Sequence, residues 1–186
     1  MTRRVVACLL ILAAGCTASP PNEEQDPPPT THVPAPWRGI PPTRPQIPPL
    51  DASRYGDKPC DLFTDEQAKA LGYVRERDPL VETDVQRCIR RAEYTTDTTL
   101  TILFYPDADH LGRIYRREAE WPANDATARD IGGQPAVSVV LDRQSTCWLV
   151  VGLTDTQSVE VRTTNTKSAG CDQATGIAEA IVARLR

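Results

Sequence analysis

The chain has 186 residues, 40% of them hydrophobic and 25% charged, with a formal net charge of −4. A mildly acidic chain has no electrostatic attraction for phosphate backbones, which excludes nucleic-acid binding as its role. Twelve of its 17 prolines lie between Pro20 and Pro49, a stretch that cannot bury a core, so one folded domain is expected after it.

The chain opens with Thr2-Arg3-Arg4 and a ten-residue apolar run, Val5 to Ala14. Ten helical residues span about 15 Å, half of a hydrocarbon core, so this is no membrane span. It reads as a signal peptide over residues 1–15. Cys16 follows Ala13-Ala14-Gly15 directly, and this resembles a bacterial lipobox. The implied chemistry is thioether lipidation of Cys16, cleavage before it and acylation of the new N-terminus. Two or three acyl chains satisfy the requirement for stable anchoring. The expected location is therefore the extracytoplasmic face of the cell membrane. The alternative is an ordinary secretory signal in which Cys16 is incidental.

Residues 16–56 read as a lipidated cysteine and a Pro/Thr-rich disordered linker. Such composition favours extended polyproline II, a spacer that lifts residues 57–186 off the membrane. Pro41-Pro42 or Pro48-Pro49 could instead dock on a partner domain.

In the domain, Phe63-Thr64-Asp65-Glu66-Gln67 starts a helix over Asp65–Leu71, with Thr64 and Gln67 as a capping box and Gly72 as its stop. Asp84–Tyr94 and Thr98–Tyr105 read as a hairpin. Asp107 to Glu120 returns to a helical period. Thr127–Ile131, Ala136–Leu141, Thr146–Leu153 and Ser158–Thr164 read as strands. Ala174, Ile177, Ala178, Ile181, Val182 and Leu185 then form the apolar stripe of a final helix. The fold class is α+β: a single antiparallel β-sheet with helices packed on it, in the order α-β-β-α-β-β-β-β-α.

Cys8 leaves with the signal peptide, so Cys60, Cys88, Cys147 and Cys171 remain in an oxidising compartment, and two disulfides are expected. No pair has CxxC spacing and no HxxxH occurs, so neither a metal nor another cofactor is expected. Cys88 and Cys147 sit in strand-like runs, while Cys60 and Cys171 each precede or open a helix. Pairing like with like gives Cys88–Cys147 and Cys60–Cys171.

Pro59-Cys60-Asp61-Leu62-Phe63-Thr64 before the short helix, Gly133-Gln134-Pro135-Ala136-Val137, Cys147 among alternating apolar residues and Cys171 leading the last helix stand in a telling order. Over residues 58–186 the chain resembles the actinobacterial lipoproteins grouped as domain of unknown function 3558. The resemblance implies a location and a fold, and offers no catalytic residues. Such proteins often carry tryptophan two residues after the second cysteine, where this chain has Arg90.

Chemistry-bearing clusters are few. Asp107-Ala108-Asp109-His110 looks superficially like metal ligands, but acids at a helix start serve its dipole. No Gly-x-Ser-x-Gly elbow or Walker A loop occurs, and the chain is not expected to be an enzyme. Arg87 and Arg91 share one face of a strand, and Arg113 and Arg117 lie on the next helix. If these groups meet, Arg87, Arg91, Arg113 and Arg117 frame an anion site; otherwise they are a solvated surface paired with Glu93, Glu118 and Glu120. Two roles remain. One is a binding module for a small or lipidic envelope ligand, favoured by an apolar open sheet face. The other is a protein-interaction or structural lipoprotein of an envelope or secretion complex, favoured by a polar one.

Overall fold

Helix α1 (Asp65–Ala70) forms where the capping box places it: the Thr64 hydroxyl accepts from the Gln67 N–H, and the Gln67 side chain accepts from the Thr64 N–H. Gly72 terminates it with φ +84°, a conformation that costs glycine nothing. The computed structural model describes residues 40, 41, 43–81, 84–93, 97–119, 126–141, 146–165 and 171–186. The signal peptide, Cys16, most of the linker, Trp37, Glu120 and Trp121 lie outside the described residues.

Among the described residues, seven strands form one antiparallel sheet: β1 (Tyr73–Val81), β2 (Gln86–Ala92), β3 (Thr99–Tyr105), β4 (Thr127–Ile131), β5 (Gln134–Leu141), β6 (Thr146–Gly152) and β7 (Ser158–Thr164). Their order is β1-β2-β3-β7-β6-β5-β4. The β4–β5 turn needs positive φ at both central residues, and Gly132 and Gly133 supply +57° and +78°. The Gly133 N–H also donates to the Asp130 carboxylate at 2.7 Å.

The expected α+β architecture is present, with one strand added. Strand β1 was not among the expected elements because its sequence, YVRERDPLV, mixes charge and proline. Proline lacks an N–H and belongs on sheet edges, which is where β1 lies, with two irregularities in its register. The second helix, α2 (His110–Tyr115), is shorter than 107–120 and is capped by Asp109 rather than Asp107, its carboxylate accepting from the Gly112 N–H. It stops before Arg117, which turns to φ +62°.

Period-two alternation gives the sheet two different faces. On one, Leu100, Ile102, Phe104, Leu149, Val151, Val159 and Val161 meet the helix α3 (Asp172–Leu185) and α1. Ala174, Ile177, Ala178, Ile181 and Val182 of α3 are fully buried here, as their spacing anticipates. On the other face, Val137, Val139 and Val150 pack under Leu111 and Ile114 of α2.

Both disulfides lie on the α3 face, and they join Cys60 to Cys88 and Cys147 to Cys171, with Cα separations of 5.0 and 5.2 Å. The expected Cys88–Cys147 and Cys60–Cys171 pairs are therefore corrected. Strands β2 and β6 are separated by β3 and β7, three steps of about 4.8 Å, which puts Cys88 and Cys147 about 14 Å apart. A disulfide tolerates roughly 7 Å between Cα atoms. Each bridge instead pins a strand to the turn or helix start directly above it.

The linker expectation also changes at its C-terminal end. Ile40 and Ile47 pack onto α2 and the sheet. The Leu50 N–H donates to Leu153 O at 2.7 Å, and the Gln134 side chain donates to Pro48 O at 2.9 Å. Residues 43–50 thus form a strap on the α2 face, and a turn at Ser53–Tyr55 takes the chain to the α3 face, where Ala52 and Tyr55 are buried. The prolines give this strap an extended, pre-ordered backbone, which lowers the entropy lost in laying it down.

Candidate functional site

Strand β7 reads Ser158-Val159-Glu160-Val161-Arg162, so Val159 and Val161 enter the core while Ser158, Glu160 and Arg162 share the α2 face. The strand register then builds rows across this face. Arg87, Leu103, Glu160 and Val150 form one, and Ile89, Thr101, Arg162 and Trp148 form the next. Helix α2 and the strap cover the β5–β6 part. Helix α2 reaches the β2–β3–β7 part through His110, and every described residue on this part of the face is buried or half-buried.

Glu160 is completely buried at the centre of this arrangement. Arg162 grips it at both oxygens, Nε to Oε1 at 2.6 Å and Nη2 to Oε2 at 3.1 Å. The Tyr105 hydroxyl donates to Oε2 at 3.1 Å, and His110 Nε2 approaches the same oxygen at 3.4 Å. Burial pushes the Glu160 carboxyl up, but His110 and Arg162 outweigh it, and the net shift is downward. Burial, and then the Glu160 charge, pushes the Tyr105 phenol upward. The array is locked by stacking: the His110 ring lies 4.3 Å from the Tyr105 ring at 16°, and the Arg162 guanidinium sits 4.2 Å over Trp148.

Chemically, Glu160 is a charge centre with its partners already in place. Burial shields this carboxylate from a substrate, and its lowered pKa makes it a poor general base near neutrality. Among the described residues, no three His, Cys, Asp or Glu side chains converge as metal ligands. The Asp107–His110 segment divides its work: Asp109 caps α2 and pairs with Arg44 of the strap at 2.5 Å and Arg116 at 3.0 Å, while His110 turns to Glu160.

The four candidate arginines are only partly brought together. Arg87 is on the α2 face diagonal to Tyr105, and its Nε is buried without a hydrogen-bond partner. Arg113 is exposed on α2, one turn after His110, and its charge acts on Tyr105. Arg91 lies four residue pairs along β2 from Arg87, opposite Thr99, and Arg117 leaves the helical stripe at its positive φ; both have interactions of their own. Arg90 points to the α3 face, where it donates to Cys60 O and Phe63 O and pairs with Asp65. Glu160, Arg162 and Tyr105 were missed by the sequence reading. The alternation of Glu160 with Arg162 between two valines was the available signal, but their partner strand β3 lies more than 50 residues away.

A groove of about 490 Å³ runs between α1 and α3, lined by Phe63, Leu71, Gly176, Ile177 and Ala180, with Gln67 among them. Leu71 is 44% exposed at its rim.

A family model described as "Protein of unknown function (DUF3558)" matches residues 11–184. The chain belongs to this family. No curated protein and no solved structure matches it. The match spans both sheet faces, both disulfides and the strap, and it also includes Cys16.

Proposed function

We propose that this protein is an extracytoplasmic lipoprotein, anchored to the cell membrane through Cys16, whose domain is a non-catalytic binding module for a small or lipidic ligand of the envelope. The observation that carries this reading is the β2–β3–β7 part of the α2 face. It holds a preassembled array of Tyr105, His110, Glu160 and Arg162, with an unpartnered Arg87 Nε buried beside it. Such groups are costly to bury and are rigidly held, as a recognition surface requires and a bare structural face does not. The engagement of Glu160 supports binding without turnover.

A second reading has its own support. The same face is polar at Arg87, Thr101, Arg162 and Thr164, and a polar face favours a protein-interaction or structural role in an envelope complex. Native mass spectrometry of the mature lipoprotein, gently extracted from its own membranes, separates the two. A reproducible added mass of small-molecule size, absent when the chain is made unlipidated elsewhere, is the expected result. A bare chain, or one arriving with another polypeptide, would favour the second role.

A further inference from the structure

We infer that the rim of the β2–β3–β7 part of the α2 face holds an anion site for a phosphate group, framed by Arg87 on β2, Arg113 on α2 and Tyr105 between them. The inference rests on the proposed binding role and names the chemistry of its ligand.

Glu160 does not neutralise this corner of the face, because Arg162 already takes both its oxygens. Arg91 and Arg117 have other interactions. Arg87 and Arg113 are left with no carboxylate partner among the described residues. Their placement follows from the fold. Arg87 pairs with Leu103 in the sheet, so Tyr105 is its diagonal neighbour on the same face, at about 7 Å. His110 stacks on Tyr105, and Arg113 follows His110 at i+3 on the same stripe of α2. Two arginines are thus placed on either side of one aromatic residue, one on the sheet and one on the helix, and the Arg113 charge acts on the Tyr105 phenol.

The chemistry selects the ligand class. Guanidinium forks match the spacing of phosphate oxygens and form charge-assisted pairs with them. The buried Arg87 Nε has no hydrogen-bond acceptor among the described residues, so the Arg87 charge is not spent within this face. The floor of the site stays in place because Tyr105 is tied to Glu160 and stacked on His110. A phosphate group can come from a lipid headgroup or from a free phosphate compound.

The test uses the mature chain from residue 17 onward, made oxidised and without its lipid. It is titrated with inorganic pyrophosphate by calorimetry, and mixed with vesicles of phosphatidylglycerol or of phosphatidylcholine in a flotation assay. Arg87→Gln and Arg113→Gln are each expected to weaken binding about tenfold or more, while Arg54→Gln, by the Ser53–Tyr55 turn, leaves it unchanged. Pyrophosphate binding without vesicle binding supports the site and assigns it to free phosphates; flotation with phosphatidylglycerol alone supports it and assigns it to headgroups. Absence of binding in both arms, or an equal loss in Arg54→Gln, overturns it. Thermal unfolding of each variant distinguishes a lost site from a lost fold. Failure here leaves the binding role standing if native mass spectrometry finds a ligand that carries no phosphate.

Discussion

Replacing Arg90 by methionine removes a polar hub from the α3 face without removing much volume. The Arg90 side chain is 4% exposed. Its Nη2 donates to Phe63 O at 2.6 Å and to Cys60 O at 2.9 Å, and its Nη1 pairs with Asp65 at 2.7 Å. Hydrogen bonds from a charged donor are worth about 1.5–3 kcal/mol each, so two buried carbonyls lose about 3–6 kcal/mol between them. Asp65 is 58% exposed, so its pair adds no more than about 1 kcal/mol. Methionine recovers part of the total because the guanidinium no longer has to be desolvated. The expected loss is about 3 kcal/mol, or roughly a 10 °C fall in Tm for a domain of this size. Urea and thermal unfolding of the oxidised protein measure it, with an unchanged urea m-value showing that the native state is intact. Asp65→Ala should cost less than about 1 kcal/mol. An Arg90→Met loss under 1 kcal/mol, or an Asp65→Ala loss as large as that of Arg90→Met, would refute the claim that the carbonyls carry the energy.

Four further outcomes are expected, three from the geometry and one from the sequence around Cys16. Peptide mapping of the oxidised protein should recover Cys60–Cys88 and Cys147–Cys171; removing either pair should cost about 3–4 kcal/mol, given loops of 28 and 24 residues. Gly112→Ala puts a Cβ 1.8 Å from Asp109 Oδ2, so the carboxylate must leave its cap. The expected cost is about 1–2 kcal/mol, with faster hydrogen exchange in residues 43–50 as Arg44 is released. Glu160 holds its carboxyl below the ordinary 4.5, so it adds stability above that pH, and this is lost as the pH falls through the lowered value. Glu160→Gln should therefore flatten the acid limb of stability below about pH 4.5, measured by urea midpoints across pH; an unchanged acid limb would refute it. Palmitate labelling should vanish in Cys16→Ala, and a variant that stayed labelled would refute the anchor.

Local signals were legible because their physics is local. Thr64 and Gln67 form their capping box within one turn, and the stripe from Ala174 to Leu185 needs only a 3.6 period to reveal its buried side. The strands from Thr127 onward were legible from alternation. What stayed hidden depends on strand order. The disulfide pairing follows from β3 and β7 lying between Cys88 and Cys147, and no spacing in the sequence announces that β7 pairs with β3. The same non-local pairing brings Tyr105 to Glu160 and hid that cluster. Strand β1 was obscured by its charges and Pro79, which an edge tolerates. The strap was misread for a different reason: proline-rich composition reports a stiff, extended chain, and stiffness does not decide whether Ile40 and Ile47 find a surface to cover.

The central claim is that the β2–β3–β7 face, and not the groove between α1 and α3, is where this protein meets its ligand. Amide chemical-shift mapping of the ¹⁵N-labelled chain against phosphatidylglycerol bicelles or pyrophosphate tests it residue by residue. The account predicts shifts concentrated at Arg87, Leu103, Tyr105, Arg113 and Arg162, with Leu71 and Ile177 unmoved. Shifts centred on Leu71, Gly176 and Ile177 instead, or none on either surface, would contradict it.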